Sequence, residues 1–217
     1  MTVAGVKNIC VVGAGNMGHQ IALAAAIAGY KVKATDVNQE ILQKAEQFVE
    51  TYLPDRVAKG KMSEDVAKAA RSNISFTMSL EEAAKDADLV IEAVIEKLDI
   101  KHTLFRQLDE ICPPHTILAT NSSFIVSSKI APVTKRPDKV CNMHFFNPAL
   151  VMKLVEVVKG PHVSDETANT VMEVCKSMGK VPVLLKKEIY GFLVNRILAA
   201  INKEAFYLYD MGVASYE

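Results

Sequence analysis

A histidine and a glutamate in the second half of the chain have the residue types and spacing needed for proton transfer. His144 follows an apolar stretch, Val140 to Met143, that predicts a strand. After a turn at Pro148, Glu156 lies within a second predicted strand, Lys153 to Val158. If the two strands are neighbours, the carboxylate can bond one ring nitrogen, fix the tautomer and stabilise the protonated ring. The other ring nitrogen is then free to take a proton from an alcohol.

This pair is what a dehydrogenase that oxidises a secondary alcohol requires. Such an alcohol gives a hydride to nicotinamide only as its hydroxyl proton leaves, so it needs a base in the position of His144. The same two residues would also fit a buried histidine satisfied by a structural glutamate. A polar cluster at Ser123 and a dinucleotide motif, both predicted on the same edge of one sheet, favour the enzyme.

The dinucleotide motif lies near the amino terminus, between a predicted strand at Ile9 to Val12 and a helix at Ile21 to Ala28. Its turn is a G-x-G-x-x-G made of Gly13, Ala14, Gly15, Asn16, Met17 and Gly18. The first glycine permits the tight turn, the second the approach of a pyrophosphate, and the third close packing of helix on strand. The amides at the start of the helix then face the phosphates.

An acid follows the next predicted strand, Tyr30 to Thr35. Asp36 stands 18 residues after the last glycine of the turn, where a carboxylate can accept hydrogen bonds from a ribose. The carboxylate would repel a 2′-phosphate and Val37 offers no guanidinium, so NAD is favoured over NADP. The alternative to dinucleotide binding is a turn that only packs a helix on a strand, with an exposed aspartate nearby. The order of strand, helix and acid favours dinucleotide binding.

The remaining pattern alternates strands with helices, which predicts an α/β fold with a Rossmann-like, doubly wound, mostly parallel sheet. Further strands are predicted at Ile74 to Thr77, Asp88 to Val94 and Thr116 to Thr120, and helices at Asn38 to Lys59, after the capping box Ser79-x-x-Glu82, and at Leu98 to Ile111. Pro54 is expected to kink the first of these helices or to start a second segment.

Polar clusters follow three of the strands, at Glu92 to Glu96, Asn121 to Ser123 and His144 to Pro148. Since ligands collect at the carboxyl ends of such strands, these clusters are expected to line one rim.

A basic stretch around Gly60 has two interpretations. Arg56 and Lys59 belong to a predicted helical hairpin near residues 38–70, whose charges would usually be a solvated face. Alternatively, they form a basic rim that holds a phosphorylated part of a substrate.

Composition narrows the classes of partner. The 217 residues carry 25 basic and 25 acidic side chains, so neither a nucleic acid nor a membrane surface is expected as a partner. The four cysteines are scattered without a C-x-x-C, which predicts reduced, buried thiols and no metal site. Residues Thr2 to Asn8 show no export or organelle signal, and a cytoplasmic protein is expected.

Four motifs resemble those of the L-3-hydroxyacyl-CoA dehydrogenases, most closely the bacterial 3-hydroxybutyryl-CoA type. They are Asn121-Ser122-Ser123, Met143-His-Phe-Phe-Asn-Pro148, Met152-Lys-Leu-Val-Glu156 and Gly191-Phe-Leu-Val-Asn-Arg196. The resemblance runs from Lys7 to the end of the chain. It implies NAD-linked, reversible oxidation of a short-chain (S)-3-hydroxyacyl-CoA to the 3-ketoacyl-CoA, within fatty acid or butyrate metabolism.

The resemblance also implies residue roles. His144 would be the general base and Glu156 its orienting partner, while Ser123 and Asn195 would hydrogen-bond the reacting oxygen. NAD would be contacted by the glycine turn and by Asp36, Glu96, Lys101, Ser123 and Asn147. Coenzyme A would be met by the stretch Tyr52 to Lys68, with Arg56, Lys59 and Ser123 as candidates. A one-residue slip in the serine motif would select Ser122 instead of Ser123.

The chain departs from the family pattern in two motifs and in length. The family usually reads N-T-S-S-L, whereas this chain reads Asn121-Ser122-Ser123-Phe124. Tyr190 stands before Gly191 where the family usually has proline, with one extra residue upstream. The expected domains are an NAD-binding unit over residues 1–187 and, over 188–217, the first helix of a helical domain that is otherwise missing. That helix is predicted at Ile189 to Met211 with a broad apolar face. The complete helical domain would form a homodimer.

Two other functions fit the same motifs. One is an NAD-linked dehydrogenase of a free hydroxy acid, as in gulonate dehydrogenases and the related lens crystallins. The other is an NAD-binding module that is catalytically silent because its helical domain is short.

Overall fold

Eight strands form one sheet in the computed structural model, which describes residues 2–3 and 5–215. Residues 1, 4 and 216–217, which fall within the two expected domains, lie outside the described residues. The strands are β1 Asn8–Val12, β2 Lys31–Thr35, β3 Ile74–Thr77, β4 Leu89–Glu92, β5 Ile117–Thr120, β6 Val140–Phe145, β7 Leu154–Val158 and β8 Val181–Leu185. Their order is β3-β2-β1-β4-β5-β6-β7-β8. The first six strands run parallel, β7 is antiparallel to β6, and β8 is parallel to β7.

Seven α-helices accompany the sheet in the described part of the chain. They are α1 Gly18–Ile27, α2 Gln39–Ala58, α3 Glu64–Asn73, α4 Leu80–Ala84, α5 Leu98–Ile111, α6 Asp165–Ser177 and α7 Val194–Asp210. Asn38 and Ser63 cap the hairpin helices α2 and α3 through side-chain oxygens that accept backbone N–H bonds. Ser79 caps α4 by accepting the amide of Glu82, as the capping box predicts.

The core is divided by the sheet because side chains alternate between its two faces. On β1, Ile9 and Val11 join the larger apolar cluster, which includes side chains of α1, α2, α3 and α6. Cys10 and Val12 join the second cluster, with side chains of α4 and α5. The near-continuous apolar sequence of these strands follows from their burial on both faces.

The predicted α/β alternation is confirmed, and the differences from prediction lie in three places. Helix α2 continues through Pro54, whose ring lies on the exposed side of the helix. Helix α6 and strand β8 were not anticipated between residues 159 and 187. The last helix begins at Val194, five residues later than predicted, because Gly191 and Phe192 have φ values of +76° and +52°, outside the helical region.

Helix α7 stands apart from the core, since none of its residues is buried. Its predicted broad apolar face is present and exposed, including Ile197, Ile201 and Phe206. The four cysteines are free and buried, as expected, and burial raises the pKa of the Cys112 thiol to about 11. Within the described residues, no helix has the length and apolar character needed to cross a bilayer.

Candidate active site

The predicted histidine–glutamate pair is formed across the antiparallel strands β6 and β7. His144 lies directly opposite Glu156 in the strand register. Nδ1 of His144 lies 2.9 Å from Oε2 of Glu156, and the two residues are only 4% and 1% exposed. Because a carboxylate only accepts hydrogen bonds, Nδ1 must donate, which fixes the tautomer and orients Nε2 away from the glutamate.

A serine hydroxyl occupies the other side of the imidazole. Oγ of Ser123 lies 3.1 Å from Nε2 of His144. The preceding residue, Ser122, instead donates its hydroxyl to Oε1 of Glu96. The structure therefore places Ser123, and not Ser122, against the imidazole.

The second carboxylate oxygen of Glu156 holds the start of α7. Oε1 accepts the amides of Leu193 at 2.9 Å and of Val194 at 3.0 Å. Burial alone would raise the pKa of Glu156, but hydrogen bonds from His144, Val194 and Leu193 outweigh burial and leave the pKa lowered. The glutamate is therefore held in its ionised form, the form that can accept all three hydrogen bonds.

Two aromatic rings flank the imidazole, and one of them belongs to the turn before α7. The ring centroids of Phe146 and Phe192 lie 4.7 and 5.4 Å from that of His144. Asn195 lies in the first turn of α7, and a Cβ added at Gly191 would lie 3.7 Å from its Cβ. Phe192 and Glu156 thus bring the start of α7, with Asn195, to the site.

The glycine turn combines tight packing with an open position. A Cβ on Gly13 would lie 2.7 Å from the carbonyl oxygen of Ala93, and one on Gly18 would lie 1.6 Å from the oxygen of Gly13. A Cβ on Gly15 would meet nothing within 4 Å. The turn therefore leaves free space at its second glycine, where a pyrophosphate approaches in this motif, and its residues fit a dinucleotide.

Asp36, which directly follows β2, is hydrogen-bonded to the glycine turn. Its Oδ2 accepts the amide of Ala14 at 2.9 Å, and its Oδ1 accepts the amide of Asn38 at 2.9 Å. The carboxylate is half-buried and so remains accessible beside the turn.

The loop after β6 packs on the glycine turn. Nδ2 of Asn16 donates to Oδ1 of Asn147 at 3.3 Å, next to a cis peptide at Pro148. The buried ammonium of Lys180 donates to the carbonyl oxygens of Ala149 and Met152, the latter at 3.0 Å. Burial lowers the pKa of Lys180. This loop joins the dinucleotide motif to the strand that carries His144.

A buried ion pair lies beneath the rim; its glutamate was predicted within the polar cluster that follows β4, but no catalytic or binding role was assigned to it. Oε1 of Glu92 accepts Nζ of Lys101 at 2.6 Å, and its Oε2 accepts the hydroxyl of Thr120 at 2.6 Å. Lys101 also lies 3.4 Å from Oε2 of Glu96. The signal for Glu92 was a carboxylate at the end of an apolar strand, but its partner depends on how α5 packs against β4.

Glu96 connects this ion pair to the serine loop. Its Oε1 accepts the amides of Phe124 and Ile125 at 3.1 and 3.3 Å in addition to the hydroxyl of Ser122. Burial would raise the pKa of Glu96, but the bond from Ser122, the charge of Lys101 and the two amides lower it overall. Lys101 is itself fully buried, so it acts on the rim through Glu96.

The basic candidates Arg56 and Lys59 lie on the hairpin, away from these residues. The guanidinium of Arg56 is 5.7 Å from the ring centroid of Tyr52, and Lys59 is paired with Asp55 at 2.9 Å. Arg56 lies in the last turn of α2, and Lys59 is its C-cap residue.

Comparison with known proteins identifies the family to which the chain belongs. Residues 8–189 match the family described as 3-hydroxyacyl-CoA dehydrogenase, NAD binding domain. The chain is 45% identical to the probable 3-hydroxybutyryl-CoA dehydrogenase of Bacillus subtilis, with 98% of this chain and 73% of that protein covered. It is 44% identical to the 3-hydroxybutyryl-CoA dehydrogenase of Clostridioides difficile, covering 96% and 74%. The crystal structure of the (S)-3-hydroxybutyryl-CoA dehydrogenase from Ralstonia eutropha superposes with a TM-score of 0.92 at 38% identity, covering 97% and 74%.

Proposed function

The chain belongs to the 3-hydroxyacyl-CoA dehydrogenase family, and we propose that it interconverts a short-chain (S)-3-hydroxyacyl-CoA and its 3-ketoacyl-CoA with NAD. The substrate that the relatives' names favour is 3-hydroxybutyryl-CoA. The observation that carries the proposal is the continuous chain of hydrogen-bonding groups from Ser123 through His144 to Glu156, with distances of 3.1 and 2.9 Å.

In the proposed reaction His144 transfers the proton. Its Nε2 takes the hydroxyl proton of the substrate, while Nδ1–H remains bonded to the glutamate that stabilises the resulting positive charge. Ser123 and Asn195 hydrogen-bond the reacting oxygen and polarise the carbonyl in the reverse direction. NAD supplies the other half of the reaction, since when bound it accepts the hydride from the hydroxyl-bearing carbon.

The same chain would hold NAD along the carboxyl edge of the sheet. The turn from Gly13 to Gly18 would bind the pyrophosphate, and Asp36 would accept hydrogen bonds from the ribose. Asn147 and Glu96 would contact the nicotinamide end, with Lys101 supporting Glu96 from below. The support for this assignment is the open space at Gly15 and the position of Asn147 against Asn16.

Coenzyme A would lie on the hairpin of α2 and α3. Arg56 and Lys59 are the candidates for its phosphates, because both are cationic and lie at the carboxyl end of α2 within the hairpin. Replacing both with alanine is expected to raise KM for acetoacetyl-CoA and leave KM for NADH unchanged. The matched control is Lys176→Ala, which removes an exposed, ion-paired lysine from α6.

The reaction is tested by following NADH consumption with acetoacetyl-CoA. His144→Ala is expected to lower kcat by about a thousandfold, the scale of a lost general acid–base, while NADH still binds. The matched control, His115→Ala, removes an exposed histidine from the loop before β5 and is expected to retain the wild-type rate.

Two results would reject the proposal in favour of the other functions. NADH binding without turnover by the wild-type chain would indicate an NAD-binding module. A free hydroxy acid that is oxidised at a higher kcat/KM than the CoA thioester would indicate the gulonate type of dehydrogenase.

A further inference from the structure

The buried carboxylate of Glu92 has no role in the proposed reaction, although the fold satisfies it completely. Its side chain lies at the end of β4 and is 0% exposed. Oε1 accepts Nζ of Lys101 at 2.6 Å and the amide of Val94 at 2.8 Å, and Oε2 accepts the hydroxyl of Thr120 at 2.6 Å. A charge is costly to bury even when it is paired, so a residue that only filled the core here could be apolar.

The first connection from Glu92 to the site passes through Thr120, which lies opposite it on the neighbouring strand β5. Because a carboxylate only accepts hydrogen bonds, the hydroxyl of Thr120 must donate to it, which leaves the lone pairs of that oxygen for another donor. That donor is the amide of Ser122, at 3.1 Å. Glu92 therefore orients the hydroxyl that holds the loop immediately before Ser123.

The second connection passes through Lys101 on α5. Its ammonium lies 2.6 Å from Oε1 of Glu92 and 3.4 Å from Oε2 of Glu96. Glu96 in turn accepts the hydroxyl of Ser122 and, at 3.1 Å, the amide of the residue that follows Ser123. This connection therefore reaches the serine loop on both sides of Ser123.

Both connections end on the residues that flank Ser123, whose Oγ lies 3.1 Å from Nε2 of His144. Under the proposed function, the hydroxyl and the imidazole must meet the same substrate oxygen. A reacting group displaced by about 1 Å can lower the rate about a hundredfold. A shift of the serine loop would move the hydroxyl without moving the imidazole, because His144 is held separately by Glu156.

We propose that Glu92 is a positioning residue for the reaction, which fixes the hydroxyl of Ser123 against His144 through these two connections. The inference rests on the proposed function. Its specific consequence is that the effect of Glu92 on kcat is exerted through Ser123 and is lost once that hydroxyl is absent. A residue that only stabilised the fold would change kcat by the same factor with or without the hydroxyl.

The test is a double-mutant cycle on kcat for the reduction of acetoacetyl-CoA by NADH. Glu92→Gln is expected to lower kcat about thirtyfold in the wild-type chain, because the NH₂ group of the amide cannot accept a hydrogen bond and the lysine loses its counter-charge. In the Ser123→Ala background the same change is expected to lower kcat less than about threefold, because the hydroxyl that it would displace is already missing.

A second variant breaks the first connection alone and leaves the ion pair intact. Thr120→Val removes the hydroxyl and keeps the branched side chain. It is expected to lower kcat about tenfold in the wild-type chain and hardly at all in Ser123→Ala. Thr120→Ser retains the hydroxyl and should retain the wild-type kcat. If Glu92→Gln does not fold, the two threonine variants provide the result.

The matched control is Asp109→Asn, which removes one charge from another largely buried ion pair on α5. Asp109 lies 2.7 Å from Nε of Arg136, and the side chains of Asp109 and Arg136 are 5% and 11% exposed. The control is expected to lower the unfolding temperature and to leave kcat within about twofold of the parent in both backgrounds.

Two results would overturn the inference. One is a wild-type kcat in Thr120→Val, and the other is a loss by the same factor with and without the hydroxyl of Ser123. Absence of turnover by the wild-type chain would reject the proposed function, whereas turnover with equal factors in the two backgrounds would reject this inference alone.

Discussion

Glu156 serves two structural elements through its two carboxylate oxygens. One oxygen holds His144, and the other accepts the two amides at the start of α7. A neutral amide in the same place has one acceptor oxygen and an NH₂ group that cannot accept. The ionised carboxylate is therefore required for the histidine and for the helix together.

Glu156→Gln is expected to lower kcat by about a hundredfold, because the imidazole loses the group that fixes its tautomer and stabilises its charged form. The variant should also lose about 2–4 kcal/mol of unfolding free energy, since it leaves buried donors without an acceptor. Steady-state kinetics and urea unfolding at pH 7 measure the two effects. Wild-type kcat in the variant would contradict the role given to this residue.

The lowered pKa of Glu156 gives the stability effect a defined pH dependence. A carboxyl group whose pKa is lower in the folded state contributes stability above its unfolded pKa, near 4.5, and loses that contribution as pH falls through the folded value. The difference in unfolding free energy between wild type and Glu156→Gln should accordingly be largest above about pH 5 and shrink in more acidic solution. If the difference in unfolding free energy instead grew as the pH is lowered, the carboxyl group would be protonated in the folded protein.

The three glycines of the turn between β1 and α1 are required for different reasons. Gly13 and Gly18 lie too close to backbone atoms for any side chain, so the fold itself requires them. Gly15 has free space and no positive φ, so the folded chain alone gives no reason for a glycine there. The reason is the ligand that approaches the backbone at this position.

Gly15→Ala is therefore expected to keep the unfolding free energy within about 0.5 kcal/mol of wild type. Its affinity for NADH should fall about tenfold or more, because the new methyl group stands where the pyrophosphate approaches. Gly18→Ala is the contrasting variant, with a loss of about 3 kcal/mol or more from overpacking. Calorimetric titration with NADH measures the effect on affinity, and thermal unfolding measures the effect on stability. Unchanged NADH affinity in Gly15→Ala would place the dinucleotide elsewhere.

The loop after β6 is held by one buried lysine. Lys180 lies just before β8 and donates to two carbonyl oxygens of the loop that carries Asn147. Its ammonium is buried and its pKa is lowered, so the charge is maintained at a cost in solvation. The loop in turn contacts the glycine turn through Asn16 and contacts α1 through Gln20, whose Oε1 accepts the amide of Leu150 at 3.4 Å.

Lys180→Met is expected to destabilise the fold by about 1–3 kcal/mol, because buried carbonyl groups lose their donor. Its specific consequence should be a rise of about fivefold in KM for NADH, at nearly constant kcat, as the loop loosens its contact with the glycine turn. Lys176→Met on α6 is the matched control. Lost stability with an unchanged KM for NADH would confine Lys180 to a structural role.

At the scale of the whole molecule, the chain exposes a large apolar surface on α7. Monomeric soluble proteins seldom expose contiguous apolar patches of this kind unless a partner covers them. Ile197, Leu198, Ile201 and Phe206 all lie on this helix, and none is buried.

We expect this chain to self-associate through α7 at micromolar concentration. The double substitution Ile197→Lys and Ile201→Lys should shift it to monomers in sedimentation velocity, because charged side chains resist burial in an apolar interface. Ile100→Lys, at an exposed apolar position on α5, is the matched control and should leave the distribution unchanged. A wild-type chain that sediments as a single monomeric species would contradict this expectation.

Local patterns were sufficient for most of the architecture. The apolar runs of β1 and β4, the amphipathic spacing of α5 and the G-x-G-x-x-G turn each involve residues close together in the chain, and the structure contains all of them. Residues 159–187 were not assigned, and the short apolar run of the edge strand β8 contains Pro182, which weakens a run as a strand signal. The start of α7 was also misjudged, because burial of Phe192 against His144 outweighs its local helical pattern.

The residue types needed for the proposed chemistry were recognisable in the amino-acid sequence, as were the predicted strands that carry His144 and Glu156. Only the folded chain selects Ser123 over Ser122, joins Glu156 to the amides of Leu193 and Val194, pairs Glu92 with Lys101, and brings Phe124 onto Tyr190. Helix and strand periodicity depend on near neighbours in the chain. Side-chain partners depend on which strands and helices lie side by side, and these contacts join residues that are distant in sequence.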